Sequence, residues 1–415
     1  MQTDMNTADS TIWKFVIAPV LKFCKIFAIT PWDSSKTVDT SRQNKLYKCY
    51  ALFLITTFLL SLASAIYGVV VYFPTTSTGK IMKIIDSILF FSITAANLTA
   101  ISVTVFLKSD VIKDYMCKVV VIDDFLPMKR CSRFFWKMMI GFSIIVGVTV
   151  CLDSVISISS GGWHYFRFYI FREYQYVHYS VMVFASFYFA CIIRCKLILL
   201  NKFLTDSVIL QLTDETKTEL WPVMDPELSG FMKIDHKFHC QMLKNVAKWY
   251  NLIADLVEVY NSIFGQLIFI VTLCTITLLL NYVVILIVGQ FKLQLIILVV
   301  LWVVVALAQT IMLANACDGV AKEAKRTSEI CYLLLNELPT FPKVDKERVI
   351  KEDLLLIAQQ AVCRSPCISA SGFFIVNHSI LGFILASVTS YMLIIIQLTF
   401  ITKIEPIEGK KQRKL

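Results

Sequence analysis

Hydrophobic residues fall along this chain in seven long runs separated by polar gaps, at approximately 47–73, 81–107, 134–158, 177–200, 263–288, 293–317 and 373–400. Each run supplies the roughly 20 residues that a hydrocarbon core about 30 Å thick requires of a helix. The pattern predicts an all-α polytopic membrane protein with seven transmembrane helices. Just before and into the fourth run, 163–179 is dense in aromatic residues, and Trp and Tyr suit the membrane–water boundary because their rings are apolar and their tips are not.

The gaps are patterned too. In 235–260, Phe238, Met242, Leu243, Val246, Leu252, Leu256 and Val259 recur at helical spacing, and no Gly or Pro interrupts them. This helix is predicted to continue directly into the fifth span. A similar run, 321–338, follows the sixth span, and 346–362 repeats the pattern after Pro342. Helices that leave the bilayer with apolar stripes need partners, and packing together within and between subunits supplies them. Between them, 212–230 is acidic and rich in turn formers, which predicts a mobile loop.

Composition narrows the class. The 415 residues are 57% hydrophobic and 17% charged, with a mean hydropathy of +0.68, whereas soluble domains carry about 25% charged residues. The net charge of +10 would suit a nucleic acid only if it were clustered on a soluble face. It is spread through the gaps instead, so no nucleic-acid partner is expected. Residues 1–50, 108–137, 194–248 and 322–364, which cover the N-terminal segment and the second, fourth and sixth gaps with their edges, hold 30 of the 40 Lys and Arg residues. This places the N terminus in the cytoplasm and, after seven spans, the C terminus outside, opposite to a G-protein-coupled receptor. Lys403, Lys410, Lys411, Arg413 and Lys414 make the exterior tail basic against that tendency. A six-span or re-entrant final segment is the alternative they leave.

Other signals are weaker. The first 44 residues are mostly polar, and the 15–27 patch is broken by Lys22 and Lys25, so it reads as a segment on the membrane surface and not as a signal peptide. The 13 cysteines, odd in number and scattered over spans and interior gaps, do not form a disulfide framework. Cys363 and Cys367 are one helical turn apart, but no second pair supports a metal, and a packing role is expected. No metal or other cofactor is called for. His164, His178, His236, His239 and His378 are dispersed, and GxSxG, HExxH and phosphate-binding glycine loops are absent from the sequence, which points away from an enzyme. The glycosylation patterns at Asn97 and Asn377 both fall inside predicted spans.

The last run is unusual for a lipid-facing helix, because it carries Ser387, Thr389, Ser390, Tyr391, Gln397 and Thr399. Burying each of these without a partner costs roughly 1–3 kcal/mol, so some must face water or protein. Helical spacing puts Ser387, Ser390 or Tyr391, Ile394, and Gln397 or Leu398 along one face. Such a face fits a narrow water-filled path, or hydrogen bonds between helices of a bundle. The pattern alone leaves both open.

Ser390, Tyr391, five apolar residues, Gln397 and Leu398 resemble the TYhhhhhQF signature that ends insect gustatory receptors, where h is hydrophobic. Ser390 stands where the family has Thr and Leu398 where it has Phe. Gly372, Phe373, Phe374 and Leu381 sit in the usual run before it, so the specific match covers about 35 residues. The resemblance implies a ligand-gated cation channel in which four subunits meet through a cytoplasmic anchor domain and the last helix lines a central pore. It implies that Leu398 forms a hydrophobic gate, that Gln397 meets permeating ions, and that Ile394, Tyr391 and Ser390 line or support the path. The expected division is 1–46 cytoplasmic segment, 47–200 helices one to four, 201–262 cytoplasmic loop and helix, 263–317 helices five and six, 318–372 anchor helices, 373–400 pore helix and 401–415 extracellular tail. A multi-pass protein of sensory-neuron membranes is implied, a homotetramer or a mixture with related subunits, opened by a small tastant.

A ligand pocket is expected in the outer halves of spans one to six. Asp86 and Asp153 are intramembrane carboxylates, and each needs a partner, water or a ligand. Arg167, Arg172 and Lys83 are candidate ion-pair partners. Tyr179, Phe187, Tyr188, Asn281, Trp302 and Gln309 offer aromatic walls and hydrogen bonds, though each also suits bundle packing. A sugar needs several convergent polar groups, whereas an amphiphilic alkaloid or terpenoid needs mainly apolar walls with few anchors. Sugar-sensing relatives often place an acid where this chain has Met392. The expectation is a bitter or deterrent compound, with a sugar or polyol as the alternative.

Overall fold

The computed structural model describes residues 18–30, 40–72, 77–127, 132–213, 237–288, 293–338 and 345–412. The loop expected over most of 212–230, and His236, lie outside the described residues. Those residues form helices α1 (Ala18–Ile26), α2 (Thr40–Tyr72), α3 (Ser77–Ile101), α4 (Ser109–Phe125), α5 (Ser132–Thr213), α6 (Lys237–Val288), α7 (Leu293–Glu337), α8 (Asp345–Cys363) and α9 (Ser379–Gln412). A π-helical turn, Ser102–Leu107, joins α3 to α4. Seven segments are long and apolar enough to cross a membrane: Asn44–Val71, Lys83–Leu107, Trp136–Ser159, Ile170–Asp206, Leu243–Leu286, Ile296–Glu337 and Ser379–Gln397.

α5 contains two of these spans. Between them Gly162 has φ 72° and ψ 173°, a conformation that glycine adopts without the strain other residues incur. The chain folds back there, so that Phe142 on the first arm stacks on Phe184 of the second with ring centroids 4.4 Å apart. The second arm is the core of the bundle: 72% of its membrane window is buried, against 17% for the first arm.

α6 runs unbroken through 52 residues and α7 through 45, so the helical periodicity read beside spans five and six belongs to the same rods as the spans. α8 packs against these extensions, burying Ile350, Leu354, Ile357 and Ala361. α4 was not legible in the gap it occupies, yet its buried Ile112, Tyr115, Met116, Val119 and Val120 follow helical spacing. The patch at 15–27 expected to lie on the membrane surface packs one side of its described part against the bundle. There Val20, Cys24, Ala28 and Ile29 are buried, and α1 packs on α5.

A polar network ties the first elements to α5. Thr94 Oγ1 donates to Gln175 Oε1 at 2.9 Å, and Gln175 Nε2 donates to the Phe58 carbonyl at 3.2 Å. His178, fully buried, sets Nδ1 at 3.0 Å from Asn97 Oδ1 and Nε2 at 2.7 Å from the Phe27 carbonyl. Asn97 is thus a buried member of this network. Further along α5, fully buried Lys196 pairs with Asp123 and donates to the Leu126 carbonyl at 2.7 Å, fastening α4 to α5.

The final run differs from its hydropathy. Phe373–His378 do not open the last helix; they belong to a tight loop in which Val376 N donates to the Ile368 carbonyl at 2.9 Å and Ala370 N to the Phe374 carbonyl at 2.9 Å. Ser371 and Gly372 carry positive φ of 52° and 79°. Asn377 then caps α9, its Oδ1 accepting the Ser379 N–H at 3.0 Å. Asn377 therefore precedes the helix, and Cys367 sits in the loop, so it does not continue the turn of Cys363. Beyond residue 400, α9 remains helical to Gln412.

Candidate ligand site and the last helix

One end of the bundle, the end marked by the Gly162 turn, gathers polar side chains from four helices. α3 brings Asp86, half-buried, which accepts from Asn281 Nδ2 of α6 at 3.3 Å. The first arm of α5 brings Asp153, which accepts from Ser157 Oγ at 3.1 Å. α7 brings Trp302, whose indole Nε1 donates to Asp153 Oδ2 at 2.8 Å. The returning arm of α5 brings Arg172, Glu173 and Tyr176. Arg172 donates from Nε and Nη2 to Glu173 Oε1 at 3.1 and 3.0 Å, and its Nη2 lies 3.7 Å from Asp153 Oδ1.

Aromatic rings wall this group. Tyr176 lies 4.8 Å from Trp302, ring to ring, and the Arg172 guanidinium sits 5.8 Å above Phe90 and 5.9 Å above Tyr176. Glu173 is 5% exposed, and its Oε2 has no hydrogen-bond partner. Lys83 is turned elsewhere, donating to the Val70 carbonyl of α2 at 3.0 Å.

Of the sequence-predicted ligand residues, Asp86, Asp153, Asn281 and Trp302 are brought together. Tyr179 stands one turn below Tyr176, and its hydroxyl is used within the core, donating to the Val271 carbonyl at 3.2 Å beside Thr275 Oγ1. Phe187 and Tyr188 lie deeper on the same arm. Tyr188, fully buried, packs at 6.0 Å from Phe184 and 5.9 Å from Phe189. These two are core at a distance, because the 12 residues from Tyr176 to Tyr188 span about 18 Å of helix. Gln309 is two turns from Trp302 on α7, with Nε2 buried and unpartnered.

Arg172 joins the site as the ion-pair partner of Asp153. Glu173 and Tyr176 were missed. Their signal was present, since an acid three residues before a Tyr at the edge of a span is one helical face, but charges beside a hydrophobic run read as flanking residues.

The last helix is a contrast. Only 11% of its membrane window is buried, and it packs on α6 with a slight contact to α7. Tyr391 is 53% and Ile394 50% exposed, and Ser390 and Gln397 are exposed as well. Thr389 and Ser390 satisfy their hydroxyls on the carbonyls of Leu385 and Ala386 at 2.8 and 2.9 Å. The side chain of Leu398 lies outside the described residues.

The fold and this site define a polytopic, all-helical membrane protein with seven spans and an aromatic-walled polar cluster at one end of its bundle. Residues 17–400 match the family of 7tm chemosensory receptors. The chain belongs to that family, so the resemblance seen at residues 390–398 holds at that level. It is a family of receptors and not of enzymes. The fold is similar to that of the insect olfactory receptor OR5 from Machilis hrabei, with a TM-score of 0.60 at 11% identity over 93% of this chain and 98% of that one. The same receptor in complex with eugenol gives a TM-score of 0.60 at 11% identity, covering 95% of this chain and 100% of that one. No curated protein sequence matches.

Proposed function

We propose that this chain is a gustatory receptor acting as a tastant-gated, non-selective cation channel for bitter or deterrent plant compounds. The observation that carries this reading is the last helix, which stands apart from its own bundle yet presents Ser390, Tyr391 and Gln397 on an exposed face. A helix with that face needs neighbours on the side away from α6. Four copies around an axis supply them and enclose a path for ions, with Leu398 as gate, Gln397 meeting the ions and Ile394 between them. In this arrangement the N terminus is cytoplasmic and the C terminus outside, and the α6, α7 and α8 extensions join the subunits below the membrane. The exposed Tyr332, Leu333, Leu355 and Leu356 there suit such an interface.

Ligand binding is assigned to the cluster of Asp86, Asp153, Asn281 and Trp302. A ligand opens the channel by binding the open state more tightly, and a tenfold preference supplies about 1.4 kcal/mol per site. The eugenol complex of the olfactory receptor makes a small aromatic molecule a reasonable size for such a site. The sugar or polyol alternative is favoured by the hydrogen-bonding Asn281 and Asp86, and disfavoured by the rings of Tyr176 and Trp302 that dominate the walls.

The test is whole-cell current from the chain expressed alone, during perfusion with alkaloids, terpenoids, glycosides and sugars. An inward cation current that persists when G-protein signalling is blocked supports the channel. A response abolished by the blockade identifies a metabotropic receptor instead.

A further inference from the structure

The charges of the ligand site do not balance. Asp86, Asp153 and Glu173 bring three carboxylates, and Arg172 pairs with the last two of them. The hydrogen bond that Asp86 accepts comes from a neutral amide, and the one lysine a turn away is spent on a backbone carbonyl. Glu173 keeps Oε2 buried and without a partner. Phe90, one turn from Asp86 on α3, and Tyr176 both lie against the Arg172 guanidinium, at 5.8 and 5.9 Å, so these groups share one neighbourhood.

Resting on the assignment of this cluster as the ligand site, we infer that the ligand is a cation: an amine or quaternary ammonium on an aromatic body, with Glu173 as its counter-ion. An unpaired carboxylate oxygen out of water is costly, and a second positive charge removes that cost. The walls suit the same ligand. Phe90 and Tyr176 already present ring faces to the guanidinium of Arg172, and Trp302, packed 4.8 Å from Tyr176, adds an indole, the ring type that attracts cations most strongly. An anionic ligand would meet three carboxylates, and a polyol would leave the ring faces unused. Asp86 flanks the position from α3, so it adds attraction without a direct role for its Asn281 bond.

The experiment uses two matched pairs, berberine with neutral dihydroberberine and tryptamine with neutral tryptophol, on the full chain in cells and in lipid nanodiscs. Binding is expected to favour the cation of a pair by about tenfold or more. Glu173→Gln is expected to bring that ratio within about threefold, and Asp86→Asn to lower it in the same direction. Where Glu173→Gln fails to reach the surface, Asp86→Asn carries the comparison. The inference is overturned if the neutral member binds as well in the wild type, if neither cation binds, or if the preference survives both variants. Trp302→Ala separates this from the site assignment. If it abolishes binding of a compound that shows no charge preference, the site stands and the cation inference falls. If Trp302→Ala, Glu173→Gln and Asp86→Asn all leave binding unchanged, the site assignment falls with it.

Discussion

Asn261 of α6 clamps the loop that leads into α9: its Nδ2 donates to the Cys367 carbonyl at 2.8 Å, and its Oδ1 accepts the Ser369 N–H at 3.0 Å. The same helix carries Asn281 at the proposed ligand site, 20 residues or about 30 Å away along one unbroken rod. α6 therefore connects the carboxylate cluster to the base of the last helix through continuous backbone. Arg364 adds a second fastening, pairing with Asp255 and with Glu258 at 2.7 Å, though these groups are exposed enough that solvent screening weakens the pairs.

Asn261→Ala should uncouple binding from opening. It strips two backbone groups of their partner, at about 1–3 kcal/mol for those that stay buried, while leaving the ligand site untouched. The expected outcome is near-normal ligand affinity in nanodiscs with strongly reduced ligand-evoked current in cells. Parallel loss of both would show that Asn261 serves stability alone.

Gly265, one turn beyond Asn261, lets the loop approach the helix. A Cβ there would lie 3.0 Å from both the Ser369 oxygen and the Ser371 nitrogen, which are backbone atoms and cannot swing away. Gly265→Ala should cost about 1–3 kcal/mol, read as a lower melting temperature of the detergent-solubilised protein. Gly382→Ala is the control, because nothing lies within 4 Å of its Cβ position; it should be neutral or slightly stabilising.

Lys196 and Asp123 should show the asymmetry of a buried pair. Lys196→Met alone leaves Asp123 buried without its ammonium, an expected loss of about 3–5 kcal/mol. Adding Asp123→Leu removes the stranded charge and should recover much of the loss. Surface expression and melting temperature of the two variants check this. Equal destabilisation by single and double substitution would instead point to the lost bond to the Leu126 carbonyl.

What could be read from sequence was whatever repeats. Seven spans follow from unbroken hydropathy, and the length of α6 from apolar spacing without Gly or Pro, because each averages over many residues. What depended on one residue was hidden. Phe373, Phe374, Ile375 and Val376 look like the start of a membrane helix, yet Gly372 at positive φ and the Asn377 cap exclude them from it. Phe373 instead stacks on Phe269 of α6 at 4.7 Å. Asp86, Asp153, Asn281 and Trp302 could be chosen because polar or large residues inside apolar runs are conspicuous. Glu173 shares a helical face with Tyr176 but reads as a charge flanking the span, and only the turn at Gly162 brings its arm beside Asp153. The polar face of α9 was visible as spacing, but the sequence did not show that Thr389 and Ser390 bond to their own helix while Tyr391 and Gln397 stand exposed.

The proposed gate gives the last prediction. If Leu398 closes the path by excluding water, a smaller side chain lets water in and weakens closure. Leu398→Ala should raise ligand-free current well above wild type at matched surface expression, and ligand should add little more. Gln397, one residue earlier and exposed, sets a different quantity. Gln397→Glu places a carboxylate in each copy around the path and should shift the reversal potential towards greater divalent-cation permeability, with little change in ligand potency. A leak with unaltered selectivity in the first variant and altered selectivity without leak in the second would separate gate from filter. Unchanged basal current in a well-expressed Leu398→Ala receptor would remove Leu398 from the gate.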